Sequence, residues 1–269
     1  MDDGMSHKNG MNSVLARCDA SQAHSHTPHT QRIPVLEVFG PTVQGEGALV
    51  GQKTMFVRTA GCDYRCSWCD SAFTWDGSAK DEIQMLTAEE IFLRLESLAA
   101  GRYSHVTLSG GNPALLPSLG ELVKLLKQKG IRTAVETQGT KWQPWLAEID
   151  DVTVSPKPPS SGMTTDDDKL EELMNRLCKA DTSVCLKVVV FDEADLQYAV
   201  DMHERYAGIP FVLQTGNPDV ASANDDELIK GLLKRYEWLI EQTAAEPRLN
   251  DAKVLPQLHT LVWGNKRGV

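Results

Sequence analysis

The sequence has no run of about 20 apolar residues, the length that a membrane-spanning helix needs. It also has no excess of basic residues, because 27 Lys and Arg stand against 37 Asp and Glu, which gives a net charge of −10. Nucleic acid is held mainly by clustered Lys and Arg, so we expect neither a nucleic-acid partner nor a membrane partner. No apolar signal segment opens the chain. A small-molecule ligand and a cytoplasmic location are expected.

Cysteine is scarce, and it is unevenly placed. Of six cysteines, only Cys62, Cys66 and Cys69 lie close together in sequence. In a reducing cytoplasm they would be thiols or metal ligands rather than disulfides. Apolar neighbours surround Cys178 and Cys185, which predicts that both are buried as small hydrophobic residues.

The spacing C-x3-C-x2-C allows three thiolates to converge from one loop. A [4Fe–4S] cluster has four irons, so three protein thiolates would leave one iron open to a small molecule. A structural zinc site is the alternative. Zinc would need a fourth ligand from a distant group such as His29, His105 or Cys18, since no His lies between residues 30 and 104.

The chain divides into an N-terminal extension and a catalytic domain. Residues 1–31 are rich in Ser, His, Asn and Thr and lack apolar periodicity, which predicts a disordered extension before a domain at 32–269. Strands are predicted at 54–59, 105–109, 132–137, 152–154, 184–191 and 210–214. Helices are predicted at 87–101, 118–130, 168–178, 193–206 and 225–241. Capping boxes are predicted for the first two helices, with Thr87 and Glu90 in one and Ser118 and Glu121 in the other.

Alternating strands and helices predict parallel strands joined by crossover helices. The expected fold class is therefore α/β, an incomplete (partial) TIM-type barrel of about six βα units. Ligand sites in such folds lie in the loops at the carboxyl ends of the strands. The three-cysteine loop, which follows the 54–59 strand, occupies such a position.

The segment GCDYRCSWCD (61–70) resembles the cluster loop of radical S-adenosylmethionine (SAM) enzymes, and so implies the radical SAM fold. The resemblance implies that Cys62, Cys66 and Cys69 hold the [4Fe–4S] cluster, whose open iron binds SAM. Trp68 and Asp70 are expected to meet SAM. The segment SGGNP (109–113) resembles the glycine-rich SAM motif, with Gly111 as its contact and Asn112 where Glu is usual. The segment SPK would add Ser155, Pro156 and Lys157, although a solvated Lys157 is an equal alternative.

The segments FGPTVQGEG (39–47), WCDS (68–71), ETQG (136–139) and the C-terminal LPQLHTLVWGNKRGV resemble the 7-carboxy-7-deazaguanine synthase family. That resemblance implies ring contraction of 6-carboxy-5,6,7,8-tetrahydropterin with release of ammonia, on the route to queuosine. It also implies Mg²⁺, an electron donor such as flavodoxin or ferredoxin, and a homodimer. The residues implied as substrate contacts are Val43, Gln44, Gly45, Glu46, Arg58 and Ser109. Ser71 is implied as the Mg²⁺ ligand.

Each of these residues also has an ordinary structural explanation. Glu46 could be a solvated turn residue, Arg58 could form a plain salt bridge, and Ser71 could cap a helix. Two other function classes share the cysteine spacing or could explain it. One is an activase that installs a glycyl radical on a partner protein, and the other is a non-catalytic zinc-binding module.

Overall fold

Strand segments rich in Val, Thr and Phe alternate with amphipathic helices and build one nine-stranded sheet, in the order β3-β1-β2-β4-β5-β6-β7-β8-β9. The computed structural model describes residues 31–269. The strands are β1 Ile33–Val43, β2 Lys53–Thr59, β3 Gln84–Leu86, β4 His105–Gly110, β5 Arg132–Thr137, β6 Asp151–Val154, β7 Ser183–Val190, β8 Phe211–Thr215 and β9 Lys253–Leu255. The helices are α1 Ala88–Ala99, α2 Leu119–Gln128, α3 Asp167–Leu177, α4 Glu193–Arg205, α5 Asp225–Ala245 and α6 Leu258–Trp263.

Neighbouring strands from β2 to β9 pair in parallel, whereas β1 pairs antiparallel with both β2 and β3. The two ends of the strand order, β3 and β9, are not neighbours, so the sheet stays open. All six predicted strands are present, and the prediction of an incomplete barrel is confirmed. Three strands were not predicted: β1, β3 and β9. Between β5 and β6 the crossover is a 3-10 helix, Pro144–Glu148, in place of an α-helix.

The core lies between the sheet and the helices that cover it. Parallel strands buried on both faces read as continuous apolar runs, and β7 is such a strand, since seven of its eight residues are buried. Helix α1 contributes Ile91, Leu95 and Ala99 to the core at the spacing of one helix face. Among the described residues, no helix combines the length and the apolar character needed to span a membrane.

Two local predictions are wrong. Thr87 and Glu90 form the expected capping box, but the Ser118 side chain makes no capping bond to α2. Ser118 itself has helical backbone angles, and Pro117 and Leu116 continue a turn into it, so it cannot adopt the extended conformation of a capping residue. Cys178 follows α3 on its outer side and is exposed, whereas Cys185 is buried in β7 as expected.

The N-terminal extension with Cys18, His24, His26 and His29 lies outside the described residues. Its division from the catalytic domain at residue 31 stays a prediction.

Candidate active site

A cavity of about 450 Å³ lies at the carboxyl ends of β2, β4 and β5. The cysteine loop forms one wall, the segment after β1 forms a second, and residues 264–269 at the C-terminus border it as well. Of the predicted site residues, the cavity is lined by Val43, Gln44, Gly45, Glu46, Arg58, Cys62, Cys66, Trp68, Cys69, Asp70, Ser71, Ser109, Gly111 and Lys157. Ser155 and Pro156 are buried outside the lining.

The cysteine loop joins β2 to the 3-10 helix Ala72–Thr74. Residues 160–161 hold it from one side, since Ser67 N donates to Ser161 O at 3.0 Å and Trp68 Nε1 donates to Ser160 Oγ at 2.9 Å. Three N–H groups point at sulfur: Trp75 Nε1 lies 3.4 Å from Cys69 Sγ, while Tyr64 N and Gln138 Nε2 lie 3.4 and 3.5 Å from Cys62 Sγ. Hydrogen bonds of this kind tune iron–sulfur clusters, so the donors suit metal-bound thiolates.

The spread of the three sulfurs argues against one zinc ion. Among residues 31–269, only Glu46, Asp70 and His259 form a group of three potential metal ligands whose atoms all lie within 4.8 Å of one another. The cysteine sulfurs are therefore spread more widely. Zinc–sulfur bonds of about 2.3 Å hold sulfurs no more than about 4.6 Å apart. A four-iron cluster binds each cysteine at a different iron and needs the wider spacing.

The thiols depend on a bound metal for their ionisation. Burial raises the pKa of Cys66 to about 11 and also raises the pKa of Cys69. Metal ligands of this type are thiolates, so binding must release protons from these groups.

Strand β4 ends with Ser109 and Gly110, and Gly111 follows directly beneath the cysteine loop. A Cβ atom on Gly111 would lie 2.2 Å from Gly61 O and 2.8 Å from Cys62 Cβ. Gly111 is therefore required because two loops meet there, a reason that sequence alone did not supply. Ser109 Oγ is buried without a hydrogen-bond partner within the described part of the chain, as expected of a group that waits for a ligand.

Asn112 is fully buried, and its amide ties the cysteine loop to the ends of β4 and β5. Its Nδ2 donates to Asp63 Oδ1 and to Thr140 Oγ1, each at 3.0 Å. Its Oδ1 accepts from Thr137 Oγ1 at 2.9 Å and from Ala114 N at 3.2 Å. With both ends of the amide engaged, Asn112 supports the loop that carries Cys62. Asp63, which accepts the hydrogen bond from Asn112 Nδ2, was not a predicted site residue.

Lys157 projects toward the cysteine loop. Its Nζ donates to Ser155 Oγ at 3.0 Å and lies 6.0 Å from the centroid of the Trp68 ring. It is half-buried and lines the cavity, so the ammonium is available to an anionic group there.

The segment 43–46 is clamped to the C-terminal helix. A Cβ atom on Gly45 would lie 2.4 Å from His259 Nδ1, and Leu258 N donates to Gly45 O at 3.0 Å. Glu46 forms a salt bridge with Lys187 and accepts from Gln257 Nε2 at 2.8 Å. Burial would raise the pKa of Glu46, but the charges of Lys187 and His259 and the hydrogen bonds from Lys187 and Gln257 together outweigh it and hold the pKa at about 2. Glu46 is thus a fixed anion, not a solvated turn residue.

Arg58 forms the ion pair that was its ordinary structural explanation, and it also lines the cavity. Its Nη1 lies 3.1 Å from Glu37 Oε2, and its guanidinium lies between the rings of Phe39 and Phe73, at 5.1 and 5.3 Å from their centroids. Arg267, near the C-terminus, also pairs with Glu37. The ion pair engages one of three guanidinium nitrogens, and Arg58 still lines the cavity.

Ser71 precedes the 3-10 helix Ala72–Thr74 but does not cap it, because its side chain makes no capping hydrogen bond. Its Oγ donates to Asp70 Oδ1 at 2.8 Å instead. The hydroxyl therefore lies beside a carboxylate at the cavity wall. Oxygen donors of this kind are those that Mg²⁺ prefers.

Several cavity residues were missed from sequence. The main cavity is also lined by Glu136, Gln138, Asn217, His259 and the C-terminal residues 264–269, and a smaller pocket beside it is lined by Lys187. One signal was available for Lys187, which stands alone as a charge in the apolar run VCLKVVV. A lysine inside a buried strand needs a partner.

A parallel partial barrel with three cysteines in the loop after its first parallel strand defines the radical SAM class, and the model of the radical SAM superfamily matches residues 56–184. A 7-carboxy-7-deazaguanine synthase of Bacillus cereus is 61% identical over 88% of this chain and 99% of its own length. That of Bacillus subtilis is 59% identical over 88% and 98%. The chain belongs to the 7-carboxy-7-deazaguanine synthase family.

The fold has a solved counterpart. The crystal structure of QueE from Escherichia coli matches with a TM-score of 0.62 and 24% identity, over 85% of this chain and 95% of that one.

Proposed function

We propose that this chain converts 6-carboxy-5,6,7,8-tetrahydropterin to 7-carboxy-7-deazaguanine with release of ammonia, on the route to queuosine. The observation that carries the proposal is the identity of 59–61% over nearly the whole length of two 7-carboxy-7-deazaguanine synthases. An activase of a partner protein or a zinc module would not be expected to match these enzymes from end to end.

Cys62, Cys66 and Cys69 would hold the [4Fe–4S] cluster, with SAM on its open iron. When bound, cluster and SAM supply the radical that takes a hydrogen atom from the substrate. Trp68, Asp70, Gly111 and Lys157 border the same part of the cavity and would orient SAM. The protein's contribution is to bind, orient and exclude water, since the reactive chemistry belongs to the cofactor.

Polar groups of the cavity match the two ends of the pterin. Arg58 would take the substrate carboxylate, for which a planar guanidinium is suited. Glu46 accepts hydrogen bonds only, and would take the amino and ring N–H groups at the other end. Ser109 Oγ, buried and without a partner, would contact the substrate between them. Aromatic rings of the walls, such as Phe39 and Phe73, keep water away and strengthen these contacts.

Ser71 would ligate Mg²⁺ together with substrate oxygens and water. Its hydroxyl lies beside Asp70 at the cavity wall and makes no capping bond, which supports this role. Ser71→Ala should assemble the cluster but lose stimulation by Mg²⁺, whereas Ser71→Thr should keep part of it. Turnover is measured against Mg²⁺ concentration, and equal Mg²⁺ dependence in Ser71→Ala and the parent would refute the assignment.

A flavodoxin or ferredoxin would supply the electron, and we propose a homodimer. A cluster on three thiolates requires reducing surroundings, which supports a cytoplasmic location.

The deciding experiment is anaerobic turnover of the reconstituted protein with 6-carboxytetrahydropterin, SAM, Mg²⁺ and a reductant. We expect 7-carboxy-7-deazaguanine and ammonia in equal amounts. Cys66→Ala is the control, and it should contain little iron and sulfide and form no product. A protein that cleaves SAM but leaves the pterin unchanged, or that binds zinc without sulfide, would disprove the proposal.

A further inference from the structure

Lys187 lies in the middle of β7, and only 1% of its surface is exposed. Its Nζ pairs with Glu46 and lies 2.6 Å from Glu136 Oε1. One buried cation thus contacts two carboxylates, and both carboxylates line the cavity. Lys187 does not line the main cavity, so any effect on the ligand acts through the two acids.

Stability does not explain this lysine. Desolvating an ion pair costs about as much as its attraction returns, and apolar residues of similar volume often replace such pairs without loss. The strand neighbours of Lys187 on the same face are Cys185 and Val189, both buried, so a methionine would suit the surroundings. The buried cation must therefore be explained by a role in the functional site.

Lys187 controls the protonation and the orientation of Glu46. Two carboxylates that face one another without a cation raise each other's pKa, and one then takes up a proton. A protonated carboxyl group donates a hydrogen bond, whereas an ionised one only accepts. With Lys187 on Oε2 and Gln257 Nε2 on Oε1, the Glu46 carboxylate is also held in one orientation.

A second acceptor lies beside it. Gln257 Oε1 is buried and has no hydrogen-bond partner within the described residues, while the amide nitrogen of the same side chain donates to Glu46. Unpaired buried acceptors are rare and usually await a ligand. Glu46, which lines the cavity, and Gln257, which lines a small pocket beside it, both offer acceptors for N–H donors.

We propose that Lys187 is a positioning residue that determines specificity, because it keeps Glu46 as a fixed acceptor for the amino and ring N–H edge of the substrate. This inference rests on the proposed function and deepens it. According to this inference, Lys187 lies outside the main cavity but makes the site bind a 2-amino-4-oxopyrimidine ring in preference to rings that lack the 2-amino group.

The test measures the binding of 6-carboxypterin, the oxidised ring of the substrate, and of its analogue without the 2-amino group. Anaerobic calorimetry on cluster-loaded protein without SAM gives both dissociation constants, independently of turnover. Lys187→Met should raise the dissociation constant for 6-carboxypterin about 30-fold or more. It should also abolish most of the preference over the analogue.

The double variant Lys187→Met/Glu136→Gln separates charge from packing. It removes the cation and one of the two acids, so Glu46 no longer faces a second carboxylate. It should bind 6-carboxypterin better than Lys187→Met but less well than Glu136→Gln alone, because Glu46 no longer faces a second acid but still lacks the cation that offsets its burial. If Lys187→Met alone does not fold, the dissociation constants of the double variant and of Lys187→Arg are compared with that of the parent instead.

Two results would overturn the inference alone: equal binding by Lys187→Met and the parent, or a double variant as impaired as Lys187→Met. If the parent itself binds no 6-carboxypterin and does not turn over the substrate, the proposed function fails, and this inference fails with it.

Discussion

Arg58 lines the cavity, and neighbouring residues already hold its guanidinium group in place. Glu37 and the rings of Phe39 and Phe73 fix the guanidinium plane. A lysine at this position would keep the charge but could neither stack between the rings nor form two parallel bonds to a carboxylate.

We therefore expect Arg58→Ala to weaken substrate binding by about 2–5 kcal/mol, the range for loss of a charge-assisted pair in a desolvated site, and Arg58→Lys to fail to restore it. Calorimetry with 6-carboxypterin measures it, and unchanged thermal stability serves as the check on folding. Loss of the fold with no selective loss of binding would instead assign Arg58 to the ion pair with Glu37.

Asn112 offers a second residue-scale prediction. Its Nδ2 donates to Asp63 in the cysteine loop, and Asn112→Asp would place two carboxylates against each other there. Unpaired like charges in a buried position are strongly unfavourable. Asn112→Asp should therefore lower cluster content per chain and speed bleaching of the cluster's visible absorbance in air. Asn250→Asp, at an exposed position, is the matched control and should behave as the parent. Equal cluster retention in both variants would contradict a supporting role for Asn112.

Site residues were predictable from the sequence where they lie together within one loop. The three cysteines and Ser71 lie within ten positions of one another, so their spacing alone brings them together. Lys187 and Glu46 are 141 positions apart, and their pairing depends on the fold that brings β7 to the segment after β1. The pairing of Arg267 with Glu37, the partner of Arg58, was likewise invisible, because Arg267 lies near the opposite end of the chain.

Strands β2 and β4 to β8 were predictable because each is a run of β-branched and apolar residues bounded by polar turns. Strand β1 was missed because Gly40 and Pro41 interrupt its pattern, and its pairing with β2 shifts register between Phe39 and Thr42. Strands β3 and β9 have three residues each, too few for a periodic signal. Local sequence patterns thus predicted the six parallel strands of the barrel, whereas β1, β3 and β9 depend on tertiary pairing.

Strand β4 begins with His105, which supplies a prediction at the level of the element. His105 is buried between β2 and β5, and its Nδ1 lies 2.8 Å from Thr54 Oγ1. Burial lowers the pKa of His105 below its ordinary value of 6.5. The unfolded chain therefore binds a proton at higher pH than the folded one, so stability should fall as pH drops below about 6.5 and on through the folded pKa.

His105→Gln cannot take up this proton, so its stability should change less between pH 7.5 and pH 5.5 than that of the parent. Urea unfolding of the cluster-free protein at both values measures the difference. His203→Gln is the control, because His203 pairs with Asp251 instead of lying buried without a charge partner. An equal pH dependence in His105→Gln and the parent would show that other groups govern acid sensitivity.

At the scale of the whole molecule, opposite charges face one cavity from different parts of the sheet. Arg58 on β2 and Arg267 near the C-terminus supply cations, while Glu46 after β1 and Glu136 on β5 supply anions. A substrate with a carboxylate at one end and N–H donors at the other matches such an arrangement. The net charge of −10 is therefore no guide to the site, whose local charges are set by the fold.

The last prediction concerns residues 1–31, which the sequence separates from the catalytic domain. The B. cereus relative aligns over 99% of its own length with 238 residues of this chain, which leaves out a part about as long as residues 1–31. Those residues lack the apolar pattern needed to join a core. Removal of residues 1–31 should therefore leave cluster content, the dissociation constant for 6-carboxypterin and turnover within about twofold of the full chain. Iron and sulfide analysis, calorimetry and anaerobic turnover of the two proteins make the comparison. A clear loss of cluster in the shortened protein would point to Cys18, His24, His26 or His29 as a ligand, and single substitutions of those four residues would then show which one supplies it.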